Sequence, residues 1–373
     1  MKILALTSDP RSTITEIRLR TPLEALVQRR GGALRLRALH AATSADLLWA
    51  ELLIVQRGLG RRALAFERRM TALGGRVIYE IDDLLVDPAP HLEHAGAMRA
   101  QREQVLACLR AADAVSASTE PLAQALRPLA RDVRVLPNYA PPAPRPRVAA
   151  PDAAAPLTLL LASSDQVALE LVLPALLRVL AAGNGRVQIV AVGACAAQLA
   201  AHGVDVRGLP LLPHAEFLAF VASLPNPVGV IPLDDSRFSA CKSAVKYYDY
   251  AALGVPTLCS RVLPYSAAVD DGRTGLLVDN TADAWFTALQ RVLDEPGLRM
   301  ALADAAMVEV DTKHSLAQTV DAWGRLLDSL PRRALTPAVR RRRWLARWRA
   351  APEALLSALR SANRARQAQR ARR

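Results

Sequence analysis

Short apolar runs recur along the chain and alternate with longer stretches in which apolar positions return at helical spacing. In the first half the runs fall at 2–7, 33–39, 51–56, 76–81, 114–118 and 133–136. In the second half they fall at 157–162, 187–192, 204–208, 228–233, 256–260 and 275–278. Runs of this length separated by helical patterns mark βα units around a parallel sheet. The pattern predicts an α/β chain with two doubly wound, Rossmann-like domains facing across a cleft. Between the two series lies YAPPAPRPRVAAPDAAAP, residues 139–156, proline-rich and without apolar period, which reads as a semi-rigid linker. The expected organisation is a first domain over 1–138, the linker over 139–156, a second domain over 157–330 and a tail over 331–373. No repeat of solenoid period is present.

A chain of 373 residues that is 51% hydrophobic and 22% charged has material for two packed domains, which excludes wholesale disorder and a disulfide scaffold. The formal charge of +13 suggests a nucleic-acid binder until it is placed along the chain. Residues 331–373 hold 14 arginines, no lysine and one acid, Glu353, while residues 1–330 balance 34 basic against 34 acidic groups. The basicity belongs to the tail. Cys108, Cys195, Cys241 and Cys259 lie far apart with no CxxC spacing, which argues against a zinc ribbon or dithiol motif and fits a reducing, cytoplasmic compartment. The apolar run in MKILALTSDP is too short for a signal peptide, and no window of ~18 apolar residues exists elsewhere.

In doubly wound sheets, ligands bind beyond the carboxyl ends of the strands. The G-x-G-x-x-G fingerprint is missing after the first strand of either half, where the chain reads TSDPRSTITE and ASSDQVALE, so a dinucleotide dehydrogenase is disfavoured. The most informative stretch is 231–277, IPLDDSRFSACKSAVKYYDYAALGVPTLCSRVLPYSAAVDDGRTGLL. A helix beginning near 241–243 and ending before Gly254 would place Lys242, Lys246 and Asp249 on one face and turn Val245, Tyr248 and Ala252 inward. The free N–H groups of its first turn, joined by two lysines, would suit a diphosphate, and the carboxylate further along would suit sugar hydroxyls. The same spacing also fits a plain exposed Lys246–Asp249 pair worth only ~0.2–0.5 kcal/mol.

This stretch resembles the donor-site helix of GT-B glycosyltransferases of the retaining "group 1" type, in which a Glu-x(7)-Glu element runs into a G-[VIT]-P turn. Asp249 to Pro256, DYAALGVP, stands at the second acid and the turn, and DGRTGLL at 271–277 resembles the family's following element. FSACKSAVKYYDYAALGVP is similar to a bacterial subgroup with an F-N-x-x-K-S-x-x-K-x-x-E-Y core. VIYEIDDLL, DAVSASTEPLA and VRVLPN resemble the subgroup's upstream elements in order, so the likeness covers roughly residues 50–325. It departs at two places: the second acid is Asp249, one methylene shorter than Glu, and the first is replaced by Cys241.

The resemblance implies transfer of a sugar from a nucleoside diphosphate sugar, with retention, without an obligatory metal or a resident cofactor. It implies Lys242, Lys246 and Asp249 as the catalytic set. Ser163, Ser164, Ser243, Lys246, Asp249 and Tyr265 then form the donor-binding set. Ser163 and Ser164 fit an ordinary polar turn equally well. Asp82 and Asp83, and Arg18 within EIRLRTPL, are the acceptor-side candidates; helix capping or a metal remains open for the acids, and an exposed helix arginine for Arg18. His91 and His94 stand three apart with no third ligand at a set spacing, so solvated histidines are expected. Cys241, beside Lys242, is the one thiol with a basic neighbour that favours reactivity.

In the tail, Trp344, Leu345 and Trp348, then Leu355, Leu356 and Leu359, are spaced for one helical face among arginines. Such a segment suits an anionic membrane interface, the inner face of the cytoplasmic membrane in a chain with a lipid-linked acceptor. A solvated tail is the plain alternative, and nucleic acid is the less favoured partner. The expected activity is glycosyl transfer to a glycan or lipid-linked glycan in bacterial surface polysaccharide assembly. Two alternatives stand beside it: a catalytically silent GT-B scaffold or membrane anchor, kept open by Cys241, and a nucleotide-sugar epimerase using Asp82, Asp83 and His91.

Overall fold

The computed structural model describes residues 1–92, 95–150, 152, 155–163, 166–183, 185–331, 333 and 336–346. Among these residues twelve strands form two sheets, and every pairing between them is parallel. The first sheet comprises β1 (Lys2–Thr7), β2 (Ala33–Ala38), β3 (Leu52–Gln56), β4 (Arg76–Ile81), β5 (Ala114–Ala117) and β6 (Val133–Val135), in the order β2-β1-β3-β4-β5-β6. The second comprises β7 (Leu157–Ala162), β8 (Val187–Val192), β9 (Val206–Leu209), β10 (Pro227–Ile231), β11 (Thr257–Ser260) and β12 (Leu276–Val278), in the order β12-β11-β10-β7-β8-β9. Each order reverses once, between β1 and β3 in the first sheet and between β7 and β10 in the second. At such a switch point the loops splay apart and leave a crevice.

The strands are continuous apolar runs because helices cover both faces of each sheet. One face of the first sheet packs Leu4, Leu53, Val77 and Tyr79 against helices Arg61–Ala72 and Arg102–Ala111. The other packs Ile3, Ile54 and Ile78 against helix Thr21–Arg30 and, from the far end of the chain, helix Leu316–Ser329. The buried indole of Trp323 anchors that returning helix, flanked by Arg29–Asp321 at 2.6 Å and Arg30–Asp328 at 2.8 Å. The ion pairs are exposed and stabilise by at most ~1 kcal/mol each, so Trp323, whose truncation would cost about 3–5 kcal/mol, does most of the docking.

The linker has no helix or strand among its described residues and lies along the second domain. Arg145 donates to the Ala252 carbonyl at 2.7 Å and pairs with Asp311, and the Val148 amide donates to the Leu253 carbonyl at 3.0 Å. After Leu330 the chain reaches the base of the first domain, where Arg333 pairs with Asp113 and a helix runs over 337–346. Trp344 there is 58% exposed, and Arg340, Arg341 and Arg342 are also exposed. Trp348, Leu355, Leu356 and Leu359 lie outside the described residues. Among the described residues no helix is long and apolar enough to cross a membrane.

Candidate functional site

The helix carrying Lys246 and Asp249 spans Val245–Leu253 and ends at Gly254, whose φ of 78° is the left-handed conformation that glycine adopts without cost. It begins later than the sequence predicts. A short helix, Arg237–Ala240, capped by the Ser236 hydroxyl, comes first, and the chain then turns through residues 241–244. Lys242 and Ser243 therefore sit in the turn and do not share a helix face with Asp249. The inward side is Tyr247, Tyr250 and Ala251 together with the expected Ala252, while Val245 and Tyr248 are only half-buried; Tyr248 stacks on His314 at 4.1 Å between ring centres. The Tyr250 ring lies against β10 at Gly229, where a Cβ would stand 2.4 Å from it.

Asp249 is 5% exposed, and both its oxygens lie 3.1 Å from His214 Nε2. His214 opens the helix that follows β9. Burial disfavours the imidazolium, but the hydrogen bond and charge of Asp249, with Glu16 of the first domain, outweigh it and raise the pKa above 6.5. Ser163, just past β7, accepts the Cys195 amide at its carbonyl at 3.1 Å, and the positive charge of Lys246 reaches Cys195. Ser163, Lys246, Asp249 and His214 thus gather at the switch point between β7 and β10. Ser164 lies outside the described residues. Tyr265 is a correction: its ring is buried in the core with Tyr250 and Cys259, and burial drives its hydroxyl pKa well upward.

The 237–243 segment joins the domains. Phe238 and Cys241 are buried in the core of the first domain, Thr119 Oγ1 donates to the Cys241 carbonyl at 2.8 Å, and Asn138 Nδ2 donates to Ser243 Oγ at 2.6 Å. Burial, with Asp83 and Asp87 nearby and only Arg237 opposing, raises the Cys241 thiol pKa, so the expectation of a reactive thiol is overturned. Arg18 is a second correction. It is 2% exposed, pairs with Glu80 at 2.8 Å, and donates to the Leu136 carbonyl and to Asn138 Oδ1 at 2.8 Å. It faces no acceptor; it braces the asparagine that holds Ser243. Beside this seam lies a cavity of about 380 Å³ bordered by Thr119, Asn138, Lys242, Ser243, Tyr248 and His314.

Asp82 and Asp83 follow β4 at the carboxyl edge of the first sheet, where Arg57 pairs with both, at 3.1 Å to Asp82. Arg57 has a φ of 46°, a left-handed backbone costly for a residue with a Cβ and accompanied by its amide donating to the Glu80 carbonyl at 2.8 Å. Burial pushes the Asp82 carboxyl up to about 7; Arg57 and Arg18 oppose this, and Asp83 and Glu80 add to it. His94 lies outside the described residues, and among the described residues no three His, Cys, Asp or Glu side chains gather as a metal site.

No protein-family model matches the chain, and no curated protein does. Solved structures do. Sucrose-phosphate synthase from Thermosynechococcus elongatus superimposes with a TM-score of 0.67 at 16% identity, over 88% of this chain and 99% of that one. Anabaena HepE in complex with UDP-glucose gives 0.60 at 12%, over 88% and 100%. The chain has the GT-B fold. A glycosyltransferase from Rickettsia africae gives 0.58 at 9% identity, over 88% and 98%. Within this GT-B frame the switch-point cluster and the Arg57–Asp82–Asp83 cluster come from different domains. The 241–244 turn, which is part of the second domain, is tied to the first.

Proposed function

We propose that the chain is a glycosyltransferase that moves a sugar from a nucleoside diphosphate sugar to a glycan or lipid-linked glycan, with retention, in bacterial surface polysaccharide assembly. The observation that carries this reading is the gathering of Ser163, Lys246 and the buried Asp249–His214 pair at the switch point of the second sheet. Solved structures of the same fold hold UDP-glucose and UDP, which supports a nucleotide sugar as donor. Lys242, Ser243 and Lys246 would stabilise the charge that develops on the leaving diphosphate, since cations already in place need no reorganisation as the bond breaks. Asp82 and Asp83 take the acceptor side. The transfer uses no resident cofactor or metal. The exposed Trp344 and arginines of 337–346 hold the chain at an anionic membrane from the base of the first domain.

A thermal-shift series with UDP, GDP, dTDP, CMP and NAD tests this, because a ligand selective for the folded chain raises its melting temperature. A shift with one nucleoside diphosphate, lost in Lys246→Ala, is the expected result. One observation favours a second reading, a silent scaffold. The position of the first family acid, Cys241, is spent on packing into the other domain. That reading predicts no shift with any nucleotide and no turnover.

A further inference from the structure

Asp249 does not offer a free carboxylate to the cleft: both oxygens are engaged by one ring nitrogen, and its side chain is less exposed than that of His214. The acid is also one methylene shorter than the Glu of the resembling subgroup, and the imidazole extends it. We propose that His214 is the group that meets the nucleoside diphosphate of the donor, contacting it through Nδ1 while Nε2 is held by Asp249. This deepens the donor-site reading and rests on it.

The charged groups facing the ring are Asp249 on the helix Val245–Leu253 and Glu16 at the start of the helical segment Glu16–Arg20, with Tyr139 of the linker beside both. When His214 is protonated, it and Asp249 form a neutral pair whose Nδ1–H donates toward the ligand. When it loses that proton, the imidazole no longer balances Asp249, and the site becomes one charge more negative beside an anionic diphosphate. His214 holds its proton above the ordinary imidazole range, so donor affinity should be high at pH 6 and fall as pH rises past that range.

Isothermal titration with UDP-glucose, GDP-mannose and dTDP-glucose between pH 6 and 9 tests the assignment, since the diphosphate diester of these sugars does not itself titrate there. The wild-type chain should bind one of them about tenfold more weakly at pH 9 than at pH 6. His214→Gln, which donates to Asp249 without titrating and so preserves the fold, should give a flat profile, and His214→Ala, which strands the buried Asp249 carboxylate, should lower the melting temperature and weaken binding at pH 6 by about tenfold or more. A flat wild-type profile, or His214→Ala binding within about twofold of wild type, overturns the His214 assignment while leaving the donor reading intact. Failure of the wild type to bind any of the three overturns both.

Discussion

Glu67 gives the sharpest test of the energetics. It lies on helix Arg61–Ala72 and is 0% exposed, and apart from the weak donor of the Cys108 thiol its carboxyl oxygens have no hydrogen-bond partner among the described residues. Burial pushes its pKa up to about 8 from the ordinary 4.5, opposed only by the neighbouring Cys108 thiol. Between those two values the folded chain holds a proton that the unfolded chain has released, so stability falls as pH rises. The slope is about 1.4 kcal/mol per pH unit, which makes the wild-type fold about 4 kcal/mol weaker at pH 8 than at pH 5 through this group alone. Glu67→Gln keeps the shape and cannot ionise. It should match wild type within about 1 kcal/mol at pH 5 and exceed it by about 3–4 kcal/mol at pH 8. Urea denaturation of both chains from pH 5 to pH 9 reads the difference, in which every other titrating group cancels. Parallel stability curves would refute the reasoning, because a carboxyl already paired or hydrated would leave no pH-dependent gap.

Four further outcomes follow from the site. Lys246→Ala should abolish the nucleoside diphosphate shift yet move the melting temperature of the free chain little, as a half-buried surface lysine contributes about 1 kcal/mol or less; calorimetry with and without ligand separates the two. Gly229→Ala forces a methyl against Tyr250 and should cost about 1–3 kcal/mol while also weakening donor binding, because the displaced ring belongs to the helix of Asp249. If ionised Asp82 serves the acceptor, transfer should rise with pH through about 7; Arg57→Gln, which removes the cation favouring that ionised form, should move the limb to higher pH in a pH–rate profile. Ending the chain at Leu330 should abolish salt-sensitive cosedimentation with anionic liposomes, and equal sedimentation of the two chains would remove the tail from membrane binding.

The fold was legible because parallel strands covered on both faces leave uninterrupted apolar runs. All twelve sequence runs coincide with strands to within about two residues. The site was legible only where its residues are neighbours in sequence. The late start of the helix at Val245 escaped notice because Ala244, at its cap, has no side-chain hydrogen bond to advertise the boundary. His214 stands 35 residues from Asp249, at the start of a helix capped by Pro213, and no local pattern joins them. The left-handed backbone at Arg57 follows from what β4 presents to it, which no single residue type encodes. Arg18 and Tyr265 were misplaced for a shared reason. Motif likeness names positions but not their burial, and Arg18 is covered by Glu80 and Asn138, each distant in sequence.

The return of helix Leu316–Ser329 to the first domain bears on how the protein is made. During synthesis the N-terminal βα units emerge early, but the face carrying Ile3, Leu23, Leu26 and Ile78 is covered only in part, by helix Thr21–Arg30, until Trp323 has been translated. The domain begun first is therefore completed last, after the whole of the second domain has left the ribosome. A shortened product that stops inside the second domain would expose that apolar face and be drawn to aggregate or to quality-control proteases. Dissecting the chain into separately expressed halves calls for carrying residues 316–330 back to the first half, as a fused or co-expressed helix.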